Sequence, residues 1–371
     1  IDSISKTETN NLGAFKKYVE SDQGKEFRET AKAIEYTYGV NMFVYNDTSD
    51  YGLVQISPNS LLDKLGFGQM NQMQNIMEMS SSLNNEVWMK LPDSQVLRDE
   101  NFQILEGKWP ENENEIVLAV DSKNEITDFA LYSMGLMDQD KLIENYEKVK
   151  SGKTDKVVVD EPKVYTNKEV LNMEFQVIPS SAVYQKVNGL WIDNSSDDAF
   201  VKDLVKNHSK TVKIVGIVKP ADKTVSSSAL GGLYYDQKLA NWVAQEADDS
   251  EIVKDQKSNK EVNVFTGQRF SSGEKFSMDN LSQEQMMQMA NMSQADILNY
   301  IATYNENINA TYDSNMQKLG VVDKNEPTTI RLYADSFDNK EKLGDLITQY
   351  NSMVEKDGKP ENIITYTDTI G

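Results

Sequence analysis

Cysteine is missing from this 371-residue chain. That excludes disulfides, a thiolate nucleophile and Cys-ligated metals. It does not exclude the cell exterior, because many cell-surface domains use no disulfides. Histidine occurs once, at His208. Any Ser-His-Asp triad would have to use that residue. A transition-metal site would have to be built with one imidazole and no thiolate. His208 lies in Val205-Lys-Asn-His-Ser-Lys210, where a helical pattern gives way to a strand. It reads as a solvated residue at a helix C-terminus. Long apolar runs are also missing: none approaches the ~18–20 residues that span a bilayer. Positive charge is scarce, with 38 Lys and Arg against 59 Asp and Glu, a net charge of −21. Such a chain repels nucleic acid and anionic lipid, and suits either a cationic peptide or simply a solvated acidic surface. Phosphate-cradling loops are absent. Gly66-Phe-Gly68 and Gly231-Gly232 stand alone, and no Gly-x-x-x-x-Gly-Lys-Ser/Thr occurs, so ATP binding is not expected. With 59 acidic residues, no carboxylate pair can be singled out for glycosidase chemistry.

What is present supports a packed protein. The hydrophobic fraction is 39% and the charged fraction 26%, and the length favours two subdomains. Lys far outnumbers Arg, and Asn, Asp, Ser and Tyr are abundant, a composition that hints at an extracellular location. Lys6–Tyr38 has the 3–4-residue apolar spacing of a helix. Val40–Tyr45 and Gly52–Ser57 read as a hairpin, and Val87–Leu91 as a strand closed by Pro92. Helices are expected at 126–134, 139–150, 197–207 and 236–247, and strands at 115–121, 157–159, 174–178, 182–187 and 211–218. Residues 248–280 read as polar and irregular, and Ser282–Leu319 as a long helical region. The chain then reads strand (Thr329–Ala334), helix (Asn339–Val354), strand (Asn362–Tyr366), with breakers at Lys356-Asp-Gly-Lys-Pro360.

Two elements stand out. In Arg98–Asp121 a short apolar run reaches a Gly-Lys-Trp-Pro turn, an acidic Asn-rich loop follows, and Glu115–Asp121 reads as a buried strand. Thr211-Val-Lys-Ile-Val-Gly-Ile-Val-Lys-Pro220 alternates, then turns wholly apolar, and stops at a proline. Together they resemble the extracellular domain of MacB/FtsX-type ABC transporter permeases, most clearly over 98–136, 166–222 and 328–370. The resemblance implies an α+β fold: a split, membrane-proximal porter-like subdomain with an inserted, β-rich sabre-like one. The expected parts are 1–104 (porter-like), 105–222 (the insert) and 223–371 (porter-like), with a helical insertion near 282–319. It implies a non-catalytic domain that couples cytoplasmic ATP hydrolysis to export or handling of a peptide, antimicrobial or lipoprotein. It implies a second permease copy or paralogue and an ATP-binding subunit or domain as partners, at the extracellular face of the cell membrane. Opening on Ile1 without a signal peptide, the sequence then reads as a fragment excised between two membrane helices. The other reading is a stand-alone cell-surface binding protein or adhesin.

No catalytic, cofactor or metal residues are assigned. Two Met-rich stretches, Gln69–Met79 and Gln285–Met292, offer an apolar partner surface at Met70, Met73, Met77, Met286 and Met289, or else amphipathic helices burying that face. Copper(I) is a third use of such thioethers. Asp193-Asn-Ser-Ser-Asp-Asp198 gathers oxygens suited to calcium but lacks the EF-hand spacing and glycine. It reads better as a helix start capped by Ser195 or Ser196.

Overall fold

A computed structural model describes residues 2–5, 10–56, 61, 64–65, 87–161, 163–221, 231–270 and 273–368. Along the chain run β1 (Asp2–Ser5), α1 (Leu12–Glu20), α2 (Lys25–Thr30), β2 (Ala33–Thr37), β3 (Met42–Asn46), β4 (Val54–Gln55), β5 (Trp88–Lys90), α3 (Gln95–Asn101), β6 (Phe102–Gly107) and β7 (Glu115–Ala119). There follow α4 (Asp128–Ser133), α5 (Gln139–Lys150), α6 (Asn167–Val170), β8 (Glu174–Pro179), β9 (Tyr184–Val187), β10 (Leu190–Asp193), α7 (Asp198–His208), β11 (Lys210–Pro220) and β12 (Gly232–Tyr235). Last come α8 (Gln237–Asp249), α9 (Glu251–Ser258), α10 (Gln283–Ala290), α11 (Gln294–Glu306), α12 (Tyr312–Lys318), β13 (Thr329–Tyr333), α13 (Phe337–Lys356) and β14 (Thr367–Asp368). The fold is mixed α+β. It forms two compact units, one from residues 1–40, 92–98 and 321–371, the other from 41–91 and 99–320.

The first unit is a four-stranded antiparallel sheet in the order β14-β1-β13-β2. β13 alternates: Ile330 and Leu332 are buried and Arg331 is exposed. Its apolar face meets α13, where Leu343, Leu346, Ile347, Tyr350 and Val354 recur every three to four residues. Leu12, Phe15 and Val19 of α1 and Phe27 of α2 complete this core. Phe15 lies edge-on to Phe27 and Tyr350, with centroids 5.4 and 5.0 Å apart. On β2, Ile34 and Tyr36 face the core, while the Glu35 carboxylate accepts from the N–H groups of Asp93 (2.9 Å) and Ser94 (2.8 Å). That contact holds the segment just before α3 against β2, within the unit that includes residues 92–98.

The expected helix over Lys6–Tyr38 is in fact two short helices and a strand. The Ala33–Thr37 segment alternates faces, which a helical count of Ala31 and Ile34 conceals. The expected strand Asn362–Tyr366 also differs. Asparagine side chains pair with the backbone there instead: Asn351 with both N–H and C=O of Ile364 (2.9 Å each), and Asn10 with both groups of Thr365 (2.8 and 3.0 Å). The chain regains strand pairing at β14.

The second unit holds a mixed sheet in the order β4-β3-β8-β11-β7-β12-β5, with β6 also paired to β11. β11 organises it. Lys210–Lys213 pair antiparallel with β8, Gly216–Pro220 pair antiparallel with β6, and β7 runs parallel along the other edge. β7 is flanked on both sides, and Ile116, Val117, Leu118 and Ala119 are all buried. That explains its uninterrupted apolar run. The sheet crosses the expected boundaries at 105 and 222: β3 joins β8 and β12 joins β7. Residues 41–56 and 231–235 thus fall in the same compact unit as residues 105–161 and 163–221. The helical layer covers much of 237–318. α9 occupies part of the stretch expected to be irregular, and the long helical region expected at Ser282–Leu319 is built from three helices. Ser293 and Thr311 end the preceding helices by capping the next ones, accepting from Asp296 N and Ser314 N.

Candidate functional site

The two sequence elements singled out above meet in the sheet. Gly107 of β6 is the register partner of Gly216 of β11. The backbones approach closely enough that Lys108 N–H donates to the Val215 carbonyl at 3.0 Å. Gly107 has φ +77°, a conformation that suits glycine, and turns the chain into the Lys108-Trp109-Pro110 corner. Trp109 folds back against Phe102 and the same apolar cluster as Val117 and Val218. The acidic loop closes on Glu115, whose carboxylate accepts from Glu111 N (2.6 Å) and Asn112 N (3.2 Å) and pairs with Lys108 Nζ (3.3 Å). Burial pushes that carboxyl up, but these donors outweigh it and hold it below the usual carboxylate range.

Beside this loop opens a cleft of about 530 Å³, lined by Asn112, Glu113, Asn114, Ser209, Lys210, Thr211 and Trp242. Lys210 Nζ lies 4.5 Å from the centroid of the Trp242 ring and 3.4 Å from Glu113 Oε1. The Glu113 carboxyl is lowered by its own backbone N–H and then by Lys210. The Ser209 hydroxyl donates to Gln176 Oε1 and to the Val205 carbonyl. His208 ends α7 and has no hydrogen-bond partner among the described residues. The cleft therefore presents a cation, an anion and an aromatic face for non-covalent contact, and no nucleophile hydrogen-bonded to a base.

Of the five methionines, the described residues include two. Met70, Met73 and Met77 lie outside those residues. Met289 is 6% exposed and packs in a cluster with Met292, Leu190, Ile192, Tyr300 and Tyr304. Met286, three residues earlier on α10, is 40% exposed. The Asp193–Asp198 stretch serves the helix start, though not through serine. Asp197 is the cap and accepts from Ala199 N and Phe200 N at 3.0 Å each, while Asp193 accepts from Ser195 N at 2.8 Å. Among the described residues no group of three or more His, Asp or Glu is placed to hold a metal ion.

One feature had no sequence signal beyond scattered Asn and Gln. In the helical layer, Asn315 donates to Gln256 Oε1 and Asn263 Oδ1, both at 3.0 Å. Asn263 donates to the Asn307 carbonyl, and Lys318 Nζ to Asn307 Oδ1 at 2.7 Å. Side-chain amides thus bind this layer where an apolar core is thin. No helix among the described residues is long and apolar enough to cross a membrane. Comparison with protein-family models, curated proteins and solved structures gave no match.

Proposed function

We propose that this chain is the extracellular domain of an ABC transporter permease of the MacB/FtsX type, placed between two membrane helices. In this reading it is non-catalytic. It converts movement driven by cytoplasmic ATP hydrolysis into export or handling of a peptide, antimicrobial or lipoprotein outside the cell. Its partners are a second permease copy or paralogue and an ATP-binding subunit or domain. The first unit, which carries β1 and β14, takes the role of the porter-like subdomain. The second, which carries the β6–β7 turn and β11, takes that of the sabre-like one.

The observation that carries the reading is the pairing of the first and last strands. Asp2 faces Asp368 and Ser3 faces Thr367 in an antiparallel ladder. Neighbouring strands lie about 4.8 Å apart, and packed helices about 8–10 Å apart. The chain thus enters and leaves side by side, within reach of two adjacent membrane helices. The Gly107–Gly216 contact adds support, because it joins the two motifs on which the resemblance rests.

The test is the complete reading frame, expressed in membranes. The expected result is a membrane-spanning helix on each side of residues 2–368, co-purification with an ATP-binding subunit, and loss of substrate-stimulated ATPase activity when these residues are replaced by a short linker. A reading frame with no flanking span and no associated ATPase would overturn the proposal in favour of a stand-alone surface binding protein.

A further inference from the structure

Residues 157–159 are expected to form a short strand, yet Val157–Glu161, Val-Val-Val-Asp-Glu, has no strand partner among the described residues. They are nevertheless held extended. Asn145 of α5 donates to the Val158 carbonyl at 2.7 Å and accepts from Val158 N–H at 3.2 Å. One side-chain amide thus pairs with both backbone groups of one residue, as a neighbouring strand would. Asp160 fixes the far end, through Lys141 Nζ at 3.0 Å and the Tyr132 hydroxyl at 3.1 Å. Val157 N–H is tied to Thr154 O at 3.3 Å.

In an extended chain the backbone groups of successive residues point to opposite sides. Val158 points toward Asn145, so Val159 and Glu161 point away from it. Neither has a backbone hydrogen bond among the described residues. The side chains are displayed as well: Val158 is 59% exposed and Val159 85%. Val149, one turn beyond Asn145 on α5, is also exposed. Natural proteins seldom leave a β-branched edge open without purpose or protection.

The charge here reverses that of the whole chain. Residues 148–168 carry six lysines; Lys148 and Lys150 pair with Glu144 and Glu147 just upstream, which leaves Lys153, Lys156, Lys163 and Lys168 against Asp155, Asp160 and Glu161, inside a protein of net charge −21. Asp160 is already neutralised by Lys141. Lys153, Lys156 and Lys168 are exposed and have no ion pair among the described residues.

We propose that the Val157–Glu161 edge, with its flanking lysines, docks an acidic, extended peptide segment of a partner protein, which adds to it as a strand. Backbone groups of Val159 and Glu161 would pair with the peptide backbone, and the valines would pack against its apolar side chains. The lysines would favour acidic peptides and discourage pairing between two like-charged edges. A lipid surface satisfies neither free backbone group, and the net charge of −21 opposes an anionic bilayer. This proposal is independent of the transporter reading.

The test uses the whole chain and a panel of capped eight-residue peptides alternating Glu or Asp with Val or Thr. Titration calorimetry should give a Kd below about 1 mM for the best of them, weakening as salt rises. Amide exchange should slow at Val159 and Glu161. Val159→Pro removes a free N–H at an extended position, so it should weaken binding at least ten-fold without lowering the melting temperature. The pair Lys153→Glu and Lys156→Glu should do the same by charge. Three results would each overturn the proposal: no binding by any peptide, equal binding by Val159→Pro, or protection mapping elsewhere. Binding to phosphatidylglycerol vesicles that depends on the Val157–Glu161 edge, without peptide binding, would also overturn it, and would identify a membrane contact instead.

Discussion

Adding one methyl group at Gly216 tests the joint on which the second unit's sheet depends. An ideal Cβ there would sit 2.2 Å from the Lys108 carbonyl oxygen, and 3.1 Å from both the Lys108 carbonyl carbon and a Val117 methyl. Ordinary carbon–oxygen contacts lie near 3.3–3.6 Å, so β6 must retreat by about 1 Å. Backbone on one side and Val117 on the other leave no easy direction. Overpacking of this kind costs about 1–3 kcal/mol. Weakening the Lys108–Val215 hydrogen bond adds about 0.5–1.5 kcal/mol. Gly216→Ala should therefore destabilise by about 2–4 kcal/mol, or roughly 5–15 °C in Tm at about 2–4 °C per kcal/mol. Gly107→Ala should be worse, because it adds φ +77° to a 2.1 Å approach to the Val215 carbonyl oxygen. Gly152→Ala is the control for backbone conformation alone: φ is +74° with nothing within 4 Å, for a cost of about 1–2 kcal/mol. The assay is thermal melting, with amide exchange at Ile217 and Val218 to locate the damage. If Gly216→Ala melts within about 1 °C of the parent chain, or costs less than Gly152→Ala, the reasoning fails.

Met289→Lys should destabilise by about 3–5 kcal/mol, since it buries an unpaired charge. Met286→Lys, on the exposed side of α10, should stay within about 0.5 kcal/mol in the same urea titration. Asn315→Asp should cost more than about 3 kcal/mol, because it removes two donors and turns a carboxylate toward Gln256 Oε1 and Asn263 Oδ1; a milder effect than that of Asn315→Ala would contradict the amide network. At high pH, burial pushes Tyr45, Tyr300 and Tyr350 up to about 12. Groups whose folded pKa is raised stabilise fully below the unfolded value of about 10 and lose that contribution as pH approaches 12. Part of the tyrosinate absorbance should therefore appear only together with loss of ellipticity, and complete titration of all 17 tyrosines without unfolding would count against it.

Much of the second unit's sheet was legible because its strands are buried on both faces. β7 and β11 declare themselves by apolar runs that a solvated strand cannot carry. α5 was legible at both ends because Asp138 caps it and the Ser151-Gly152 pair follows it. Other elements were hidden for local reasons. β10 is only Leu190–Asp193, too short for periodicity to separate from a turn. Residues 364–365 pair through Asn10 and Asn351, and no strand propensity scale reports a side chain acting as a strand. The cleft was out of reach because it is assembled from distant positions: Glu113 and Lys210 are 97 residues apart, and Trp242 comes from a third element. The methionine pattern left the inward face of α10 undecided. Met286 and Met289 are three apart, yet only Met289 of α10 is buried, together with Met292 just past the helix end, while Met286 is exposed.

The pairing of β1 with β13 also sets a timetable. Asp2 must find Leu332, and Thr37 must find Thr329. Neither bond can form until residues 329–332 have been synthesised. At about 5–20 residues per second, the first strand leaves the ribosome roughly 15–65 s before its partner. The other sheet can close earlier, once residue 235 has been made and β12 can join β5. The N-terminal segment must therefore spend that interval with β1 and β2 unpaired, two open edges that any other strand could occupy.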